Sequence, residues 1–98
     1  MIRRVIFRQR ADAELNEAAA WYEEQRRGLG REFTDAVSSS IELIKQNPLQ
    51  YQKVFKDRRR AVVARFRFNL IYLVREDEIL VVACLHGARD PRRWKLRT

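Results

Sequence analysis

The 98-residue chain holds one cysteine, one histidine, one methionine, two prolines and three glycines. A single cysteine excludes an internal disulfide. Cys84 lies in the apolar run ILVVACL, where it reads as a small buried hydrophobe in a reducing compartment, not as an activated thiolate. Cys84 and His86, one thiol and one imidazole two residues apart, fall short of a metal site. Gly28-Leu29-Gly30 has neither the length nor the preceding strand of a phosphate loop. No apolar run approaches the roughly 20 residues that span a bilayer. The stretch MIRRVIFRQR is too charged to read as a secretory signal. These absences predict a cytoplasmic protein with no cofactor, no metal, no small-molecule substrate and no membrane partner. Repeats, low-complexity stretches and internal linkers are missing too. Residues 1–98 are therefore expected to form one domain with a modest core.

What is abundant is positive charge. Lys and Arg number 21 against 13 Asp and Glu, for a formal charge of +8. Seventeen of the cations are arginine. Residues 1–11 carry four bases and no acid, residues 12–46 eight acids and four bases, and residues 47–98 thirteen bases and five acids. A field this lopsided implies an acidic partner: nucleic acid, a nucleoprotein or an acidic protein segment. Arginine in excess over lysine suits sites that fork onto phosphates or carboxylates.

Apolar spacing supplies the elements. IRRVIF, residues 2–7, has strand composition. Ala11, Leu15, Ala18, Ala19 and Tyr22 form one stripe of a helix that Asp12 could cap and that Gly28 and Gly30 would break. Phe33, Ala36, Val37, Ser40, Ile41 and Ile44 mark a second helix from about residue 31 to 46, stopped by Asn47-Pro48. Three strand candidates follow: 61–66, 68–74 and 79–85, with the charged link 75–78 as a hairpin tip. Residues 70–74 and 79–85 are apolar on both faces, as central strands are. The predicted class is α+β, in the order β-α-α-β-β-β: a mostly antiparallel sheet with an N-terminal helical hairpin packed on one face.

Several pieces occur together in register. They are Ala13-Glu14-Leu15 before Trp21-Tyr22-Glu23, Gly28-Leu29-Gly30 with Phe33 three residues on, the Asn47-Pro48 stop and Tyr72 in a late strand. The last is His86-Gly87-Ala88-Arg89-Asp90-Pro91 running into Trp94. In this combination the chain resembles the RelE/ParE superfamily of type II toxins, over nearly its whole length. It departs from the pattern at Phe66-Arg67-Phe68, where similar proteins often have Phe-Pro-Tyr. The resemblance implies a toxin neutralised by an antitoxin encoded beside it. It leaves two targets open: ParE-like members poison DNA gyrase without hydrolysis, whereas RelE-like members cut mRNA on the ribosome. The HGARDP arrangement is closer to the ParE side, and the terminus WKLRT lacks the tyrosine typical of ribosome-dependent relatives. A third possibility is a toxin-like fold with some other target.

The candidate residues divide accordingly. Under the gyrase reading no residue is catalytic. Under the ribonuclease alternative, cleavage through the 2′-hydroxyl needs a base, an acid and cations for the phosphorane charge, and Arg65, His86 and Arg89 would supply them, with Lys53 or Lys56 nearby. Target contact is expected from Arg58, Arg59, Arg60, Arg89, Arg92, Arg93, Lys95 and Arg97. Antitoxin contact is expected from Trp21, Tyr22, Arg65 and Trp94, against a partly disordered, amphipathic, acidic segment that folds as it binds. Single residues also have plainer roles open to them. His86 could fix the turn at Gly87 through a backbone carbonyl, Arg89 could clamp strand-end carbonyls, and Trp94 could plug the sheet. Residues 86–97 are expected to be an ordered segment that packs through Trp94 and Leu96 and turns Arg92, Arg93, Lys95 and Arg97 outward.

Overall fold

The computed structural model of the chain describes residues 3–87 and 91–98. The elements are β1 (Arg4–Phe7), α1 (Gln9–Gln25), α2 (Leu29–Gln46), β2 (Lys53–Phe55), β3 (Arg58–Val63), β4 (Phe68–Val74) and β5 (Glu78–His86), with 3-10 turns at Ala64–Phe66 and Pro91–Arg93. The strands lie in the order β1-β5-β4-β3-β2. β2 to β5 pair antiparallel, and β1 pairs parallel with β5. The α+β class and the helical hairpin on one face of the sheet are as the sequence predicts. Arg89 lies outside the described residues.

The two helices meet where side chains are smallest. The first helix ends at Gln25 with Arg26 as its cap, ahead of both glycines, and Gly28 caps the second in the left-handed region, at φ 89°. Gly30 does not break anything; it sits in the first turn of α2. A Cβ there would stand 2.8 Å from the Ala19 carbonyl oxygen, so the missing side chain is what lets the helices touch. Glu23 secures the corner. Its carboxylate accepts the amides of Gly28 (3.0 and 3.1 Å) and Gly30 (3.0 Å), donors that the first turn of a helix otherwise leaves open. Glu23→Ala is expected to cost about 1 kcal/mol in chemical denaturation, as loss of a cap does. Asp12 is not the cap of α1. The helix starts at Gln9, and Asp12 already lies in its first turn, with its amide on the Arg8 carbonyl at 2.9 Å.

Both faces of the sheet are covered, which explains the continuous apolar runs of β4 and β5. Phe68, Leu70 and Tyr72 of β4 face the helices, packing with Phe33, Val37 and Ile44 of α2. Phe33 is fully buried, with the Tyr22 and Phe68 rings each at 4.9 Å and Phe66 at 5.2 Å. Ile71 and Leu73 face the other way, into a second cluster with Leu80, Val82, Ala83, Leu85 and Trp94. On β5 the alternation slips. Ile71 pairs with Ala83 and Tyr72 with Val81, so Val82 is an extra residue, a bulge. That is why Val81 and Cys84, three apart, both face the helices. Cys84 is buried and its thiol is pushed up by desolvation, so it acts as a hydrophobe here. Tyr72 is core as well: fully buried, donating to the Pro48 carbonyl at 2.7 Å, its phenol raised by burial.

The sequence reading misses β2, which has only three residues and an irregular register against β3. It also shifts β3. The strand begins at Arg58 and ends at Val63, and residues 64–66 form a 3-10 turn instead of its end. Arg67 closes that turn at φ 52°, a conformation closed to proline, whose φ is fixed near −65°. The proline of similar proteins therefore could not serve this turn at position 67.

Candidate interaction site

The C-terminal segment is not a fringe of outward cations. Trp94 is 6% exposed against the second cluster, as a plug of the sheet would be. Leu96 is 81% exposed, contrary to the expectation that it packs. Arg97 takes the inward place. Its Nη1 and Nη2 donate to the two Glu14 oxygens at 2.8 and 3.1 Å, and Nη1 also donates to the Val82 carbonyl at 3.2 Å. The other Glu14 contact explains the geometry. β1 pairs only with residues 78–81 of β5, so beyond Val81 that strand edge has no strand beside it. Glu14 Oε1 accepts the Cys84 amide at 3.1 Å, and Arg97 covers Val82, so a side-chain pair stands in for a missing strand. Arg58, expected to contact the target, is buried and donates through Nε and Nη2 to the Arg97 carbonyl at 3.2 and 2.9 Å. Arg8 holds the Thr98 carbonyl at 3.1 Å.

Where α1 passes the end of β5, a groove of about 470 Å3 opens. Glu14, Glu17, Ala18, Trp21 and Tyr22 reach it from one side of α1, at the spacing of a single helix face. Leu85, His86 and Arg93 also line it. Trp21 is 53% exposed and packs edge-on against Tyr22 at 5.2 Å. Tyr22 is largely buried in the groove wall. Its hydroxyl lies 3.3 Å from the Phe66 carbonyl and 3.2 Å from His86 Nε2. One hydroxyl proton cannot serve both, so a consistent chain runs from His86 Nε2–H to Tyr22 Oη and from Tyr22 O–H to Phe66. Burial raises the Tyr22 phenol, which keeps that proton in place. His86 thus fixes the strand end through a tyrosine and not through a carbonyl. The Gly87 turn is held by its own amide on the Arg67 carbonyl at 2.9 Å.

The remaining predicted residues scatter. Arg65 donates to Glu32 at 2.7 Å and lies over the Phe66 ring, 5.1 Å from its centroid. Arg26 takes the other Glu32 oxygen at 3.0 Å. The Arg65 hydrogen bond, with that of Arg26, holds the Glu32 carboxyl below its usual range. This stabilisation is therefore present at neutral pH and fades as pH falls through that lowered value, weakly because the group is exposed. Arg65 and His86 thus have separate structural partners, Glu32 and Tyr22. Arg59 holds the Leu49 and Tyr51 carbonyls at 3.0 and 2.7 Å. Arg92 and Arg93 are exposed. Lys95 Nζ lies 5.7 Å from the Phe55 ring centroid, which Lys56 and Arg58 also approach, at 5.5 and 5.8 Å. Arg60 lines a second cleft, of about 430 Å3, on the sheet face that Trp94 covers. Sequence reasoning misses Glu14 and Glu23 as anchors. An acid on the groove side of a helix looks like any solvated acid until the strand edge it caps is known.

A family model described as "ParE toxin of type II toxin-antitoxin system, parDE" matches residues 5–91. Among solved structures, the chain is similar to one described as "Chromosomal ParDE TA system from P. aeruginosa". The TM-score is 0.76 at 13% sequence identity, over 87% of this chain and 96% of that one. At that identity the likeness shows the fold. No curated protein sequence matches the chain.

Proposed function

The chain belongs to the ParE toxin family of type II toxin–antitoxin systems, and from that premise we propose that it inhibits DNA gyrase by binding, in the cytoplasm, and that a cognate antitoxin neutralises it. The observation that carries a binding mode is the disposition of the ionisable groups. His86 is engaged by Tyr22 and Arg65 by Glu32, so each has a structural partner of its own. Proton transfer to and from a ribose would instead need such groups converging on one phosphate.

The antitoxin reading rests on the groove between α1 and β5. Trp21 stands at its lip half-exposed, Ala18 and Leu85 give it apolar walls, and Arg93 offers a cation to an acidic residue. An amphipathic helix with one large apolar side chain and an acid one turn away fits that lining. Occupying the groove would screen the cationic terminus beside it, so the toxin would be silenced by occlusion.

The test is gyrase supercoiling of relaxed plasmid, run beside ribosomes translating a labelled mRNA. Inhibited supercoiling with intact mRNA is expected. His86→Gln is expected to keep that inhibition within a few-fold, because glutamine can still donate to Tyr22. A loss of several orders of magnitude would point to proton transfer instead. Ribosome-dependent cuts within codons would overturn the gyrase reading.

A further inference from the structure

The second cleft lies away from the α1 face, between β2–β3 and the C-terminal segment. Its floor is apolar: Ile71, Leu85, Val54 and the edge of Trp94. Its polar members include Lys53, Arg60, Asn69 and Gln52. Neither Lys53 nor Arg60 has an ion-pair or hydrogen-bond partner for its side chain among the described residues, although Arg60 is half-buried. Asn69 and Gln52 are likewise unengaged through their amides. Among the described residues no acidic side chain lines the cleft. Nearby, the Phe55 ring gathers three cations within 6 Å, and among the described residues Asp57, paired with Arg58, is the acid at hand to offset them. Like charges held this close raise the energy of the free protein, and an anion relieves it. Elsewhere in the molecule the buried or half-buried cations are spoken for: Arg58, Arg59 and Arg97 all serve carbonyls or Glu14.

Charge, shape and lining together select the occupant. A simple anion would leave the apolar floor unused, and an apolar ligand would leave the cations and amides unused. A nucleotide uses all three. We propose that this cleft seats one nucleotide of a single-stranded DNA. Lys53 and Arg60 take its phosphates, the base lies against Ile71, Leu85 and Trp94, and Asn69 and Gln52 meet the base edge. Lys56 and Lys95 continue the cationic strip along which the backbone leaves. A volume of about 430 Å3 suits one unstacked nucleotide, whereas a base paired within a duplex cannot enter a cleft. The choice of DNA over RNA rests on the gyrase reading. The cleft itself does not.

The test uses the purified chain without gyrase. Fluorescently labelled oligonucleotides of one sequence, as single-stranded DNA, duplex DNA and single-stranded RNA, are titrated at several salt concentrations. Single-stranded DNA is expected to bind best. The double variant Lys53→Gln/Arg60→Gln should weaken it at least 10-fold and flatten the log–log salt slope by about 0.7 per cation removed. Arg10→Gln/Arg31→Gln removes the same charge from the helices and should change binding less than 3-fold. Unchanged urea midpoints establish that both variants fold. Equal losses in the two double variants would mean bulk charge alone and would overturn the cleft. So would absent binding at low salt, or a preference for duplex. A cleft-dependent preference for RNA would overturn the DNA assignment. If cleft binding fails while gyrase is still inhibited, only this inference falls. If cleft binding holds while gyrase is untouched, only the gyrase reading falls.

Discussion

Arg97→Ala is expected to lower the unfolding free energy by about 3 kcal/mol, read as a lower urea midpoint at unchanged slope. The side chain is 12% exposed and its partner Glu14 15%, so solvent does little to soften the loss. Removing the guanidinium strands the Glu14 carboxylate and uncovers the Val82 carbonyl. Glu14→Ala is expected to cost at least as much. It leaves a buried guanidinium, whose Nε already lacks a partner among the described residues, and orphans the Cys84 amide. Glu14→Leu/Arg97→Met should recover much of either single loss, since removing both charges avoids the unpaired one. The cycle thus separates the worth of the pair from the cost of breaking it. Single losses below about 0.5 kcal/mol would mean a surface pair, and the strand-edge account would be wrong.

The two tryptophans should part company just as sharply. Trp94→Ala is expected to cost about 3–5 kcal/mol, because it empties the plug over Leu73, Leu80, Val82 and Leu85. Limited proteolysis should then cut first in the C-terminal segment. Trp21→Ala should cost less than about 1 kcal/mol of folding, since the side chain is half in solvent. Its effect belongs to the complex: antitoxin binding by calorimetry should weaken by about 2 kcal/mol or more, some 30-fold, as an exposed aromatic anchor implies. If Trp21→Ala bound normally, the groove would not be where the antitoxin docks. If Trp94→Ala were as stable as the parent, the back face would not be a second core.

These two residues also show what a sequence can and cannot say here. Helical spacing puts Trp21 off the core stripe, and the fold agrees. For Trp94, composition allows burial or contact, and only the sheet behind it decides for burial. The helices, both central strands and the class were legible because each has a period or an unbroken apolar run long enough to read. β2 was not, since three residues carry no period. Nor was the start of β3, because Arg58-Arg59-Arg60 looks like a solvated run. Arg58 is structural because the Arg97 carbonyl arrives beside it from 39 residues on, and Arg59 because the chain before β2 turns its Leu49 and Tyr51 carbonyls toward it. Arg97 and Leu96 were read in each other's places for the same reason. An inward arginine needs a buried acid, and Glu14 is 83 positions away. The clefts are the least legible feature of all, since Lys53, Arg60, Asn69 and His86 meet only through strand register.

The central claim is that the toxin acts by occupying its target and not by turning it over. Titrating the purified chain into supercoiling reactions at several gyrase concentrations tests this most directly, with antitoxin added afterwards. The account predicts that half-inhibition tracks the gyrase concentration once that exceeds the dissociation constant, and that antitoxin restores activity in full. Substoichiometric action, with each molecule of the chain disabling many targets beyond rescue by antitoxin, would contradict it.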